Sequence, residues 1–159
     1  MIDVLAKYYN LARGGESPLM FLHCNGYTND TSQTDCRTYD EKGRITFENR
    51  YNIRSGSHTA HISSNESYDN SKMFQSFIEE VNSQDNYNNK DRKINVIPVI
   101  SYHNLTQNDV KYTSKVYTAN IDLFSAEMKY LYDNRFKVLT MTDLGYDENS
   151  KSLYIKGIS

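Results

Sequence analysis

The sequence predicts an α/β fold in which helices cover a sheet that contains parallel strands. An unbroken apolar run, Ile94 to Tyr102, is typical of a strand buried on both faces. The amphipathic stretch Ile121 to Asp133 comes next, and a second apolar run, Phe136 to Met141, follows it. Strand, crossover helix and strand make a βαβ unit, whose crossover is almost always right-handed. We therefore expect an α/β layer or barrel.

Size and charge narrow the class of protein. A chain of 159 residues is enough for one domain with a real core and too short for two. The net charge of −2 leaves no basic stripe, so we expect no nucleic-acid partner. No apolar run approaches the roughly 18 to 20 residues that span a bilayer, and the N-terminus lacks a signal-peptide pattern. We therefore expect no membrane span.

The N-terminal third predicts a helix, a strand and an insertion. Apolar spacing predicts a helix over Ile2 to Leu11, which Gly14 and Gly15 end. Pro18 to His23 reads as a short buried strand. In the stretch CRTYDEKGRITFENRY, residues 36–51, alternating apolar residues flank a Gly43 turn and predict a β-hairpin. Together with the polar loop after it, this hairpin forms an insertion over about residues 24–70.

Two amphipathic helices are predicted in the rest of the chain. The first begins at Asn70 or Ser71, with Ser71 a suitable N-cap, and runs to Ser83. The second spans Ile121 to Asp133, with Asn120 or Asp122 near its start. The side chains predicted to face inward from this second helix are Leu123, Phe124, Met128 and Leu131.

Two segments of the chain resemble a known family. The stretch IPVISYHNL, followed by FSAEMKYLYDNRFKVLTMTDL, resembles the polysaccharide deacetylases, the NodB-homology carbohydrate esterases, over about 50 residues. Two other parts of the chain are similar to this family to a lesser degree. One is YYNLARGG with PLMFLH, and the other is GRITFENRYNIRSGSH, which resembles an insertion of archaeal-type members. The resemblance implies that residues 1–159 form a single partial domain of a NodB-like (β/α) deacetylase barrel with a β-hairpin insertion. Its βαβ segment would cover about residues 94–144.

The resemblance also implies an activity. Members of this family hydrolyse acetyl groups of N-acetylated sugars with zinc or another divalent metal, so the implied partner is an acetylated polysaccharide. One Asp and two His hold that metal. The motifs T-F-D-D-G and R-x-P-Y are absent from this sequence, so the metal-binding Asp and the catalytic base have no counterpart here. Either a further portion of the domain supplies them, or the chain is a non-catalytic carbohydrate-binding or cell-surface domain with the same fold.

Four histidines and a tyrosine are the candidate site residues. His103, at the end of an apolar strand, is the predicted catalytic residue, because α/β sheets gather their sites at the carboxyl ends of strands. His58 and His61 are similar to the family's metal-binding H-[ST]-x-x-H motif, although one residue short; the alternative is two solvated loop histidines. Tyr102 and His23 are predicted to bind substrate, with a core-edge role as the alternative for each.

Three further residues keep more than one interpretation each. Cys24 and Cys36 enclose eleven turn-forming residues, so they form either a disulfide or two free thiols, while zinc binding through both is less favoured by their spacing. Asp143 follows an apolar run and either enters a site or caps a turn.

Overall fold

The computed structural model describes residues 2–5, 7–14, 19–22, 51, 53, 55–58, 62–88, 94–147, 149 and 152–158. The predicted turn of the hairpin and the predicted disulfide of Cys24 and Cys36 lie outside these residues. So do His23, for which substrate binding was predicted, and His61, one of the two predicted metal ligands.

Helices and short strands alternate along the described residues. The helices are α1 (Ile2–Leu5), α2 (Asn70–Asn82) and α3 (Ile121–Asp133), with 3-10 turns at Ser83–Asn86 and Met141–Asp143. The strands are β1 (Leu19–Phe21), β2 (Gly56–Ser57), β3 (Val96–Pro98), β4 (Ile100–Ser101), β5 (Asn104–Thr106), β6 (Thr118–Asn120), β7 (Leu144–Asp147) and β8 (Ser152–Ile155). In this part of the chain no helix is long and apolar enough to cross a membrane.

The segment from β3 to β5 pairs with three different partners in turn. β3 pairs antiparallel with β1, β4 pairs parallel with β2, and β5 pairs parallel with β6. The single strand predicted over Ile94 to Tyr102 is therefore two short strands, and one of its neighbours is antiparallel. Within the described residues every sheet has two strands and none closes on itself, so the barrel stays a prediction.

The predicted strand over Phe136 to Met141 does not form. The chain instead turns at Met141–Asp143, where the Thr140 hydroxyl and the Asp143 carboxylate close a reciprocal capping box. The Asp143 carboxylate accepts hydrogen bonds from the Thr140 backbone N–H at 2.7 Å and from its hydroxyl at 2.9 Å. The next strand, β7, begins only after this turn, at Leu144, and pairs with β8. The strand predicted over Phe136 to Met141 is therefore wrong, the α/β fold class stays a prediction, and the cap alternative for Asp143 is confirmed.

The bounds of the two long helices agree with the apolar spacing to within one residue, whereas α1 is shorter than predicted. α3 has the predicted bounds, and Asn120 caps it by accepting from the Asp122 backbone N–H at 2.8 Å. α2 ends one residue before the predicted Ser83, and its N-cap is Asp69 rather than Ser71. α1 ends at Leu5 instead of continuing to Leu11, and Tyr9, which the pattern placed on its inner face, is exposed.

Helices α2 and α3 lie side by side and run in the same direction. Their starts meet where Asn70 Nδ2 donates to Asn120 Oδ1 at 3.4 Å, and their ends meet where Asn82 and the Tyr130 hydroxyl hydrogen-bond. Met73 of α2 and Leu123 of α3 form one core with Ile62, before α2, and Tyr112, between β5 and β6. A second core lies between the strands, formed by Met20, Leu22, Ile53, Val96, Leu144, Leu153 and Ile155. The candidate site borders the first core.

Candidate functional site

Two parallel strands end side by side and each is followed by a ring. β2 and β4 are in register at Ser57 and Ser101, so the next residues, His58 and Tyr102, are neighbours across the pair. The His58 backbone N–H donates to the Ser101 carbonyl at 3.0 Å, and the His58 and Tyr102 rings stack with centroids 4.7 Å apart. The carboxyl ends of adjacent parallel strands are the usual place for sites in α/β proteins.

Helix α3 adds a carboxyl group to these rings. Glu127 is fully buried. The Tyr102 hydroxyl donates to Glu127 Oε2 at 2.7 Å. The other carboxyl oxygen of Glu127, Oε1, lies 3.5 Å from His58 Nε2, which is beyond the usual range of a hydrogen bond. Both of these facing atoms are buried, and neither has a hydrogen-bond partner among the residues that the structure describes. We call His58, Tyr102 and Glu127 the strand-end cluster.

Burial sets the charge of the strand-end cluster. Removal from water raises the pKa of Glu127 to about 8; the hydrogen bond from Tyr102 opposes this rise and the nearby Glu80 adds to it. Burial lowers the pKa of His58 to about 4. Burial, and then the charge of Glu127, raise the pKa of Tyr102 far above its ordinary value. At neutral pH the cluster is therefore a carboxylic acid, a neutral imidazole and a neutral phenol.

A buried tyrosine and two asparagines fix the start of α3 beside this cluster. The Tyr112 ring packs edge-on against His58, with centroids 6.1 Å apart. Its hydroxyl donates to Asn70 Oδ1 at 2.9 Å and accepts from the Asn120 backbone N–H at 2.9 Å. Because Asn120 is the N-cap of α3, this network fixes the start of the helix that carries Glu127.

A cleft of about 570 Å³ opens beside the cluster, and Tyr102 is the member of the cluster that lines it. Its walls come from α2, α3, the segment 97–102 and the segment 136–141. The apolar side chains that the two helices contribute are Phe77, Val81, Phe124, Met128 and Leu131. The cleft is thus apolar on its helical side and has a phenol on its strand side, where the strand-end cluster begins.

His103 lies apart from the strand-end cluster. Successive side chains of an extended segment point to opposite sides, so Tyr102 turns inward and His103 outward. His103 is exposed, and its ring meets the Tyr117 ring with centroids 5.2 Å apart. The catalytic role predicted for His103 stays a prediction. Tyr102, predicted to bind substrate, does line the cleft.

Glu127 was not among the residues that the sequence singled out, although a signal for it exists. It lies four residues after Leu123 and three after Phe124, so helical spacing places it on the same inward face as these apolar residues. A carboxylate on the apolar face of an amphipathic helix is rare without a partner. Its partners are two residues that the sequence did single out: Tyr102, whose hydroxyl lies 2.7 Å from Oε2, and His58, whose Nε2 lies 3.5 Å from Oε1.

The metal predicted from the family resemblance can be tested against these side chains. In the described part of the chain no group of three His, Cys, Asp or Glu residues lies close enough together to hold a metal ion. His58 Nε2 and Glu127 Oε1 are nevertheless two buried ligand atoms that face each other. Two ligand atoms are too few for the zinc sites of proteins, which have three or four protein ligands, so the described residues do not by themselves fit the ion, and His61 lies outside them.

Comparison of the chain with family models, with curated proteins and with solved structures found no match in any of the three.

Proposed function

We propose that the chain is part of a polysaccharide deacetylase-like hydrolase, which removes acetyl groups from N-acetylated sugars of a glycan with zinc or another divalent metal. One observation carries the proposal: the strand-end cluster places an imidazole, a phenol and a carboxyl group at the carboxyl ends of two parallel strands, beside a cleft. These are the types of group that acyl-transfer chemistry requires. The substrate class follows from the resemblance of residues 94–144 to the deacetylases.

Tyr102 is the cluster residue placed to touch an acetyl group. Its ring lines the cleft, and its hydroxyl is held by Glu127 Oε2 at 2.7 Å. The phenol has a single proton, so it can serve an acetyl group only when the protonated Glu127 donates to the phenol oxygen instead. The freed phenolic O–H can then donate to the carbonyl oxygen of the acetyl group, where negative charge develops as water attacks. The apolar wall from α2 and α3 excludes water from the other side of the group. The resemblance implies a divalent ion that, when bound, would polarise the acetyl carbonyl and acidify water, and the described residues do not complete its set of ligands.

Acetate release from N-acetylglucosamine oligomers with zinc present tests this proposal. We expect release by the wild type and a rate about 10²-fold lower after Tyr102→Phe, because that is the cost of removing one donor to the oxyanion. Tyr132→Phe is the matched control, since Tyr132 is exposed and lies outside both the cluster and the cleft. An absence of acetate release, or equal rates for the two variants, would refute the proposal.

A second candidate function is carbohydrate binding without turnover. The observation that favours it is the exposed pair His103 and Tyr117, whose rings lie on the surface with 54% of Tyr117 accessible. Exposed aromatic faces suit the apolar side of a pyranose ring. Binding of acetylated glycan without acetate release, weakened by Tyr117→Ala, would support this function. Failure to bind any acetylated glycan would exclude it.

A further inference from the structure

The cleft beside the strand-end cluster has more room than an acetyl group needs. Its volume of about 570 Å³ lies within the roughly 300–1,000 Å³ that is usual for small-molecule sites. One carbon-sized group takes about 30 Å³, close to the share of one water molecule in the liquid. The carbons and the oxygen of an acetyl group would therefore fill about one sixth of the cleft, whereas a linear chain of about ten carbons would fill roughly half of it. The volume favours a ligand several times larger than acetyl.

The fold leaves apolar side chains of the cleft walls partly uncovered. The run Ile94 to Tyr102 has the unbroken apolar character of a strand buried on both faces, yet its residues 97–100 line the cleft and are only half-buried. Met128 of α3 also lines the cleft and is half-buried, and Val138 lines it with 68% of its surface exposed. An apolar ligand that covers these side chains removes apolar surface from water, which favours binding.

The charges around the cleft favour an anionic end on this ligand. Among the described residues that line it, Arg13 and Lys137 are cationic and none is an Asp or a Glu. The Arg13 backbone bridges to Ile53, and its guanidinium donates to Ser55 Oγ at 3.2 Å. A guanidinium has five N–H donors and binds carboxylates through two parallel hydrogen bonds, so a contact with one serine hydroxyl does not use them all. Lys137 also interacts with the charge of Asp143, so Arg13 is the stronger anchor for an anion.

We propose that the cleft binds a linear acyl chain of about eight to twelve carbons that ends in a carboxylate, as a fatty acid does. The chain would lie between α3 and residues 97–100, and its carboxylate would bind Arg13. An amphipathic anion fits apolar walls and a cationic residue better than a cation or an uncharged polar molecule does. The inference goes beyond the proposed function and does not depend on it, because binding of the chain involves no hydrolysis.

Calorimetric titration of the full chain with octanoate, decanoate and dodecanoate, each below the concentration at which it forms micelles, tests this site. We expect one ligand per chain and an affinity that rises about threefold to fourfold for each added methylene, which is the effect of burying that group. Octanol has the chain length of octanoate without its charge. It should bind at least about 10-fold more weakly than octanoate, because it lacks the charged hydrogen bonds to Arg13.

Two variants locate the two ends of the ligand. Arg13→Gln should weaken octanoate binding at least about 10-fold and leave octanol binding unchanged. Its matched control is Lys111→Gln, since Lys111 is exposed and does not line the cleft. Met128→Trp adds a larger side chain to the wall, so dodecanoate should lose more affinity than octanoate does. Its control is Tyr132→Trp, because Tyr132 is exposed on the same helix and outside the cleft.

The wild-type titration needs no variant to fold. Affinities that do not depend on chain length, binding that does not saturate, or wild-type affinity for dodecanoate in Met128→Trp would each overturn the site. Wild-type affinity for octanoate in Arg13→Gln would overturn the role of Arg13 as the anchor of the carboxylate. Acetate release without binding of any of these carboxylates would refute the inference and leave the proposed function standing. Their binding without acetate release would do the reverse.

Discussion

The hydroxyl of Tyr112 connects the two long helices, and its removal gives a prediction with a defined size. Tyr112 is fully buried, and Tyr112→Phe keeps the ring and leaves no cavity. The Asn120 backbone N–H then loses its acceptor, which costs about 1–3 kcal/mol for a buried donor. The bond to Asn70 Oδ1 is lost as well, for a further 0.5–1.5 kcal/mol or so. We expect the free energy of unfolding to fall by about 2–4 kcal/mol.

Urea unfolding of Tyr112→Phe and of the wild type measures this loss, with Tyr117→Phe as the matched control. Tyr117 is exposed, so removing its hydroxyl should change stability by less than about 0.5 kcal/mol. Amide hydrogen exchange gives a local readout, because the Asn120 N–H should lose protection when its acceptor is removed. If Tyr112→Phe is no more costly than Tyr117→Phe, the hydroxyl does not bridge the helix starts and the reasoning fails.

Three further predictions concern charge and packing. Hydrogen bonds from the Thr140 backbone and hydroxyl hold the pKa of Asp143 below its ordinary value, and an NMR titration should show this pKa rise in Thr140→Val. The stability that these hydrogen bonds give to the folded state is lost as pH falls through the folded pKa of Asp143. Stability should fall by about 1 kcal/mol from pH 6.5 to 8, because folded Glu127, with its pKa raised to about 8, keeps a proton that the unfolded chain has lost; the loss of a proton by unfolded His58 near pH 6.5 offsets a small part of this fall. Urea unfolding of Glu127→Gln should lack the fall, and a fall that persists in this variant contradicts the pKa assigned to Glu127. Leu123→Ala removes a buried side chain of the core beside the cluster and should cost about 2–5 kcal/mol in the same assay, whereas a loss under about 1 kcal/mol would mean the core is not packed there.

Local sequence patterns predicted the two long helices well, and α1 and the strands poorly. α3 follows from apolar spacing and a capping asparagine within a few residues of each other, and its bounds are as predicted. The short strands depend on distant partners, such as the pairing of Ser57 with Ser101, which no local pattern encodes. The apolar run at Phe136 to Met141 resembles a strand, but the capping box of Thr140 and Asp143 turns the chain first.

The same limit explains which part of the site could be predicted. The rule that sites lie at the ends of parallel strands pointed to residues 102 and 103, but alternation along the strand decides that Tyr102, not His103, joins the cluster. His58 was a candidate from its spacing to His61, yet its true neighbour is Glu127, 69 residues later in the sequence. That contact depends on a pairing between distant segments, because β2 and β4 set His58 beside Tyr102, which hydrogen-bonds Glu127.

The position of Glu127 is the strongest argument that this region has a chemical role. A buried carboxyl group costs folding free energy, and that cost shows as the rise of its pKa to about 8. One hydrogen bond from Tyr102 offsets part of it, whereas Oε1 and the facing His58 Nε2 gain none in the described part of the chain. An apolar side chain at this position of α3 would pack without that cost, as its neighbours on the same face do. Conflicts between helix pattern and burial are expected at functional sites, so the cost of Glu127 favours a role in binding or catalysis over one in stability.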